Sequence, residues 1–106
     1  SINGDGGFLY TGNELATAIC HRIPLVAIVF VDGAFGNVRR IQQEQFDNRL
    51  IACDLANPDF VKYAESLALK GYRAEQAGDL GPLLKQSFAE NTLSIIDCPV
   101  DYSENI

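Results

Sequence analysis

Leu25-Val26-Ala27-Ile28-Val29-Phe30-Val31 runs without a polar break into Asp32-Gly33. A half-exposed strand would alternate apolar and polar residues. A continuous run rich in Val and Ile suits a central parallel strand covered on both faces. Pro24 opens it and Asp32-Gly33 turns the chain away. Upstream, Ser1-Ile2-Asn3 leads into Gly4-Asp5-Gly6-Gly7, which reads as a short strand ending in a Gly-rich turn. Asn13 to His21 then reads as a helix, with Leu15, Ala18 and Ile19 on one face and Thr11 or Asn13 as its cap.

Downstream, the loop Asp32 to Gly36 leads into a short helix around Asn37 to Gln45, and Phe46 to Asn57 reads as loop. Asn57-Pro58-Asp59 is a helix start, with Asn as cap and Pro in the first position. Phe60, Val61, Ala64, Leu67 and Ala68 follow at helical spacing. Gly71 marks a break, and Tyr72 to Glu75 a short strand. Asp79 caps a last helix that turns Leu80, Leu83, Leu84 and Phe88 inward. Leu93 to Cys98 is the last strand. Strands alternating with amphipathic helices give an α/β class with a mostly parallel sheet, Rossmann-like in three layers.

The chain has 106 residues, enough for one small domain. Its 47% hydrophobic and 21% charged composition predicts a folded core. The formal charge of −6 argues against a nucleic-acid partner, which needs clustered Lys and Arg. Arg39-Arg40 is the one compact basic pair, and a solvated helix face accounts for it. No apolar run reaches the ~20 residues that span a bilayer. The start resembles no signal peptide, so a cytoplasmic location without membrane association is the expectation.

Cys20, Cys53 and Cys98 are too few and too far apart for a disulfide framework or a zinc site. Cys20 and Cys98 lie in apolar contexts and read as core residues. Cys20-His21 is not read as a catalytic pair, because helical neighbours point in different directions.

The two Asp-bearing loops carry the chemistry. In a parallel sheet both open at the carboxyl edge, where open α/β folds bind ligands. If their strands are neighbours, Asp5 and Asp32 face one another across a small gap. Paired carboxylates repel unless a cation sits between them or one takes a proton. Oxygen donors of this kind suit Mg²⁺ or Ca²⁺. Gly4, Gly6 and Gly7 give a phosphate access to backbone N–H groups, and the following helix offers its positive end. The bare reading is a site for a metal and a phosphorylated ligand, against the plainer reading that Gly and Asp simply make turns.

Gly4-Asp5-Gly6-Gly7-Phe8, then Asn13-Glu14-Leu15-Ala16-Thr17-Ala18, then Val31-Asp32-Gly33-Ala34-Phe35-Gly36 resembles the signature of thiamine-diphosphate-dependent enzymes. That motif begins Gly-Asp-Gly and ends, nearly thirty residues on, in Asn-Asn or Asn-Asp. Asp5 and Asp32 stand 27 positions apart, which fits. Asn37-Val38-Arg39-Arg40 and Asp54-Leu55-Ala56-Asn57-Pro58-Asp59-Phe60 extend the likeness toward the acetolactate synthase branch. It covers Asn3 to about Val100.

The resemblance implies that residues 1–106 are the later part of a diphosphate-binding domain, an incomplete thiamine-diphosphate-binding fold with residues 101–106 as a loose tail. It implies Mg²⁺ held by the Asp5 and Asp32 side chains and the Ala34 carbonyl. Gly6 and Gly7 N–H groups would take the diphosphate, with Gly4, Phe35 and Gly36 along the cofactor. It implies a parent enzyme acting on 2-keto acids by decarboxylation or carboligation, and a homo-oligomer. The Glu that assists cofactor deprotonation belongs to the family's pyrimidine-binding domain, usually on a partner subunit. Nothing here resembles that domain, so no catalytic residue is assigned. Glu14 reads as a first-turn acid. The chain alone is expected to be inactive, to bind cofactor weakly, and to expose a sheet edge and apolar patch that favour self-association.

Two positions depart from the motif. Val31 replaces the first Asn of the terminal pair, with loss of a local hydrogen bond. Asp32 stands where many members have Asn, and its extra charge predicts tighter Mg²⁺ binding. Gln42 to Arg49 reads either as the active-site entrance or as a solvated loop. Two other classes are weighed. A receiver-like, non-catalytic Mg²⁺/phosphate-binding module would need a Lys ending a later strand, whereas Lys70 precedes one. A dinucleotide-binding half would need Gly where Leu9 stands.

Overall fold

Val26–Val31 forms β2, and its first four residues are buried, as a strand between covered faces requires. The computed structural model describes residues 1–101. Around β2 lie β1 (Ile2–Gly4), β3 (Lys70–Arg73) and β4 (Ser94–Pro99). The four strands form one sheet in the order β1-β2-β4-β3, parallel at every pairing. The helices are α1 (Asp5–Thr11), α2 (Leu15–Cys20), α3 (Gly36–Gln45), α4 (Phe60–Ser66) and α5 (Leu80–Glu90).

Alternate residues of β2 serve two cores, as the strand period of two dictates. Ala27 and Val29 join Phe8, Leu15, Phe60, Ala64 and Ile95 under α1, α2 and α4. Val26 and Ile28 join Ala74, Ile96 and Cys98, with Leu80, Leu83 and Leu84 of α5 against them. The result is helix, sheet, helix in three layers, as the apolar run predicts. Val31 packs on the first core, so an apolar side chain suits that position.

Several boundaries differ from the sequence reading. The Gly-rich segment is not a free loop: α1 starts at Asp5, breaks into a 3₁₀ turn at Gly12–Glu14 and resumes as α2. Extended Gly4 precedes it, and an acid in the first turn favours the start. Thr11 precedes the 3₁₀ turn without capping it through its side chain, and Asn13 lies inside that turn rather than at the start of α2. Cys20 and Ile19, at the end of α2, are exposed rather than core. Asn57 is not the cap of α4. Asp59 is, accepting from the N–H groups of Val61 and Lys62.

Gly71 is not a break but part of β3. A Cβ there would sit 2.7 Å from the Val61 carbonyl oxygen, so its lack of side chain lets α4 lie on the strand. Asp79 precedes α5 without capping it, and its carboxylate instead accepts from the Gln76 N–H. Phe88 is 67% exposed and Ser87 is buried in its place. The inward stripe runs 80, 83, 84, 87, and Phe88 lies one helical step off it. Of the expected tail, Asp101 is exposed and the rest lies outside the described residues. Among the described residues no further strand covers the β1 edge, and Ile2 upon it is 75% exposed. No described helix is long and apolar enough to cross a membrane.

Candidate functional site

The pairing Gly4↔Phe30 brings the carboxyl ends of β1 and β2 side by side. Asp5 and Asp32 leave those ends as neighbours, as the sequence suggests. Both line a cleft of about 840 Å³ at the carboxyl edge, together with Gly4, Gly6, Gly7 and Ala34. Phe35 and Gly36 border it too, so the structure brings every candidate residue of the sequence reading together.

The two carboxylates are held differently. Asp5 is 2% exposed. Its Oδ1 accepts from its neighbour Gly6 N–H at 2.8 Å. Its Oδ2 accepts from the Gly33 N–H at 2.8 Å and from Asn57 Nδ2 at 2.6 Å. These donors satisfy the oxygens of a side chain taken out of water. Asp32 is half-buried, and its Oδ1 accepts from the Ala34 N–H at 3.1 Å, a turn closed within its own loop. A Cβ on Gly36 would lie 2.8 Å from Asp32 Oδ2, so glycine there leaves that carboxylate room.

A second segment braces the Asp32 loop. Ala34 pairs with Asp54 in a single antiparallel bridge, in which Phe35 N–H donates to Cys53 O and Leu55 N–H to Gly33 O. Those bonds leave the Ala34 carbonyl out of the bridge. Arg39 of α3 pairs with Asp54 across the same junction. The Phe35 ring lies over Gly6, where a Cβ would run into it, and stacks on Tyr10 at 5.9 Å. Gly6 is therefore small because an aromatic ring covers it.

The arrangement suits a hard cation. Among the described residues no three His, Cys, Asp or Glu side chains gather into a metal cluster. A cation here would draw on two carboxylates plus backbone and ligand oxygens, a donor set that suits Mg²⁺ with a phosphorylated molecule. The Gly6 N–H already serves Asp5. Gly7 is the exposed residue of an otherwise buried first turn of α1, and its N–H has no acceptor within the helix.

The sequence reading missed Asn57, assigned to a helix cap, and the Arg39–Asp54 brace. Gln42 to Arg49 divides. Gln43 lines the cleft, while Gln42 turns away to bond both backbone groups of Ile51. Away from the cleft, Arg73 binds Asp97 and Asp59 at 2.9 Å each. The bond to Asp97 raises the Arg73 pKa above its ordinary value. Burial, with Asp97 beside it, pushes the Cys98 thiol up, so it is an inert core residue.

An open parallel sheet with a carboxylate-bearing cleft at its carboxyl edge defines a ligand-binding α/β domain. The family model "Thiamine pyrophosphate enzyme, C-terminal TPP binding domain" matches residues 1–98. The chain belongs to that family. It is 43% identical over 106 residues to the acetolactate synthase of Bacillus subtilis (strain 168), covering 100% of this chain and 18% of that protein. It is 33% identical to the catabolic acetolactate synthase of Raoultella terrigena, covering 99% of this chain and 19% of the relative. The thiamine diphosphate-dependent 4-hydroxybenzoylformate decarboxylase of Rhodococcus jostii RHA1 superposes with a TM-score of 0.87 at 25% identity, over 98% of this chain and 20% of that one. The chain thus spans about a fifth of the length of these relatives.

Proposed function

We propose that this domain binds thiamine diphosphate through Mg²⁺ at the cleft between β1 and β2, as part of an acetolactate synthase-like enzyme acting on 2-keto acids. Asp5, Asp32 and the Ala34 carbonyl are the proposed metal ligands. Gly4, Gly6, Gly7, Phe35 and Gly36 line the diphosphate end. The observation that carries this reading is the convergence of two carboxylates and the glycines at the start of α1 on one cleft, inside the stretch that the family model matches.

Bound cofactor would supply a thiazolium whose deprotonated carbon adds to a carbonyl and whose ring takes up the electrons released on decarboxylation. The residues of this chain anchor and orient. Asp5 and Asp32 offset the charge of the metal, and the Phe35 ring closes one wall. None of them holds or moves a proton of the substrate, which suits a chain inactive without its pyrimidine-binding domain and partner subunit. The receiver-like alternative loses ground because Lys70 opens β3, at the opposite end from the cleft.

Calorimetric titration of thiamine diphosphate tests the reading. Heat is expected with Mg²⁺, absent with EDTA and abolished by Asp5→Ala, while Asp32→Asn binds Mg²⁺ more weakly than the native chain. Equal heat with Mg²⁺ and with EDTA would sink the metal-bridged site.

A further inference from the structure

Asn57 lies 52 positions from Asp5, on the segment before α4, yet its Nδ2 donates to Asp5 Oδ2 at 2.6 Å. A carboxylate only accepts, so the amide must present its NH₂ side. Its Oδ1 is buried and finds no partner. The one hydrogen bond of this side chain therefore goes to Asp5, and the helix start beside it is capped by Asp59 instead.

The donors on Asp5 are unequally shared. Oδ2 takes two, from Gly33 and Asn57, while Oδ1 takes one, from Gly6. A carboxylate oxygen has two lone pairs in its plane. Oδ2 is filled, and Oδ1 keeps one lone pair. Both backbone donors come with the fold of the two loops. Asn57 alone breaks the tie between the oxygens.

We infer that Asn57 is a positioning residue that fills Asp5 Oδ2 and leaves Oδ1 as the oxygen that meets the cation, so that metal affinity depends on the segment before α4. This rests on the proposed Mg²⁺ site. Side chains that orient a metal ligand in this way carry roughly 10- to 100-fold in metal affinity.

The test is the Mg²⁺ affinity of the whole chain, by calorimetry with thiamine diphosphate present, in Asn57→Ala and Asn57→Asp. Asn57→Asp keeps the shape and replaces the donor with an acceptor. Both variants are expected to lose roughly 10- to 100-fold, Asn57→Asp at least as much as Asn57→Ala. Unchanged Mg²⁺ affinity in Asn57→Ala would show that the amide does not position Asp5, and tighter binding by Asn57→Asp would make position 57 a direct ligand; either result overturns the inference. Melting in EDTA adds a readout without metal: the effects of Asn57→Ala and Asp5→Ala should be non-additive, as expected of residues in contact. Additive effects would overturn the inference even if Mg²⁺ affinity falls. A native chain that binds no Mg²⁺ would instead defeat the proposed function, and this inference with it.

Discussion

Asp5 and Asp32 end adjacent strands and face one cleft, but they are built to different specifications. Asp5 is buried and held by donors from its own turn, from the second loop and from the segment before α4. Asp32 is half-buried and closes a turn only within its own loop. Asp5 therefore knits three stretches of chain together, while Asp32 does little for the fold. The difference separates a carboxylate that the structure needs from one that only the proposed ligand would need, and stability and binding should part company between them.

The widest separation is expected on replacement by alanine in metal-free buffer. Asp5→Ala leaves three donors without an acceptor, at about 1–3 kcal/mol each, partly relieved by water from the cleft. A net loss of about 3 kcal/mol is expected, a fall in Tm of roughly 10–20 °C for a domain of this size. Asp32→Ala removes one turn bond and should cost under about 1 kcal/mol. Thermal melts of the two variants in EDTA check this, and equal losses would erase the distinction. A smaller effect sharpens it. Gly36→Ala puts a Cβ against Asp32 Oδ2 without touching the donors of Asp5. Alanine suits a first helical turn, so Tm should hold within about 1 kcal/mol of stability. Mg²⁺ affinity should fall by about tenfold, the low end for a disturbed ligand. A variant with unchanged affinity would show that Asp32 has room to spare.

How much of this was legible in the sequence follows from the range of each interaction. The unbroken apolar run of β2 signalled a covered central strand, and the spacing of Asp5 and Asp32 signalled a shared edge, because both are local patterns read against a parallel sheet. Caps and breaks were misassigned wherever a distant partner decided them. Gly71 stays in β3 because α4 lies against it. Asn57 looks like a cap until Asp5, 52 positions away, claims its amide. Asn57-Pro58-Asp59 held a usable signal. The residue before a proline is pushed away from helical backbone, but Asn and Asp both cap well, and nothing local chose between them. Phe88 erred in the other direction, since its apolar character suggested burial while the stripe already ended on Ser87.

The smallest effect concerns the anchor behind Asn57. The Asp59 carboxylate is held below its ordinary pKa, first by the Lys62 N–H, then by Arg73 and the Val61 N–H, against a desolvation that works the other way. A carboxyl lowered in the folded state contributes stability that is complete above its unfolded value, near 3.8, and fades as pH falls through the folded value. Below pH 4, then, α4 should lose its cap, and the turn that carries Asn57 should loosen before the sheet does. Asp59→Asn keeps a capping oxygen without the titration. Its Tm should lie slightly below native at pH 6, and the gap should close as the pH approaches 3. A gap that stays constant over that range would mean that the charge on Asp59 does nothing for the fold. The segment bearing Asn57 would then be held by Phe60 and the core beneath α4, and Asp5 would keep its third donor even in acid.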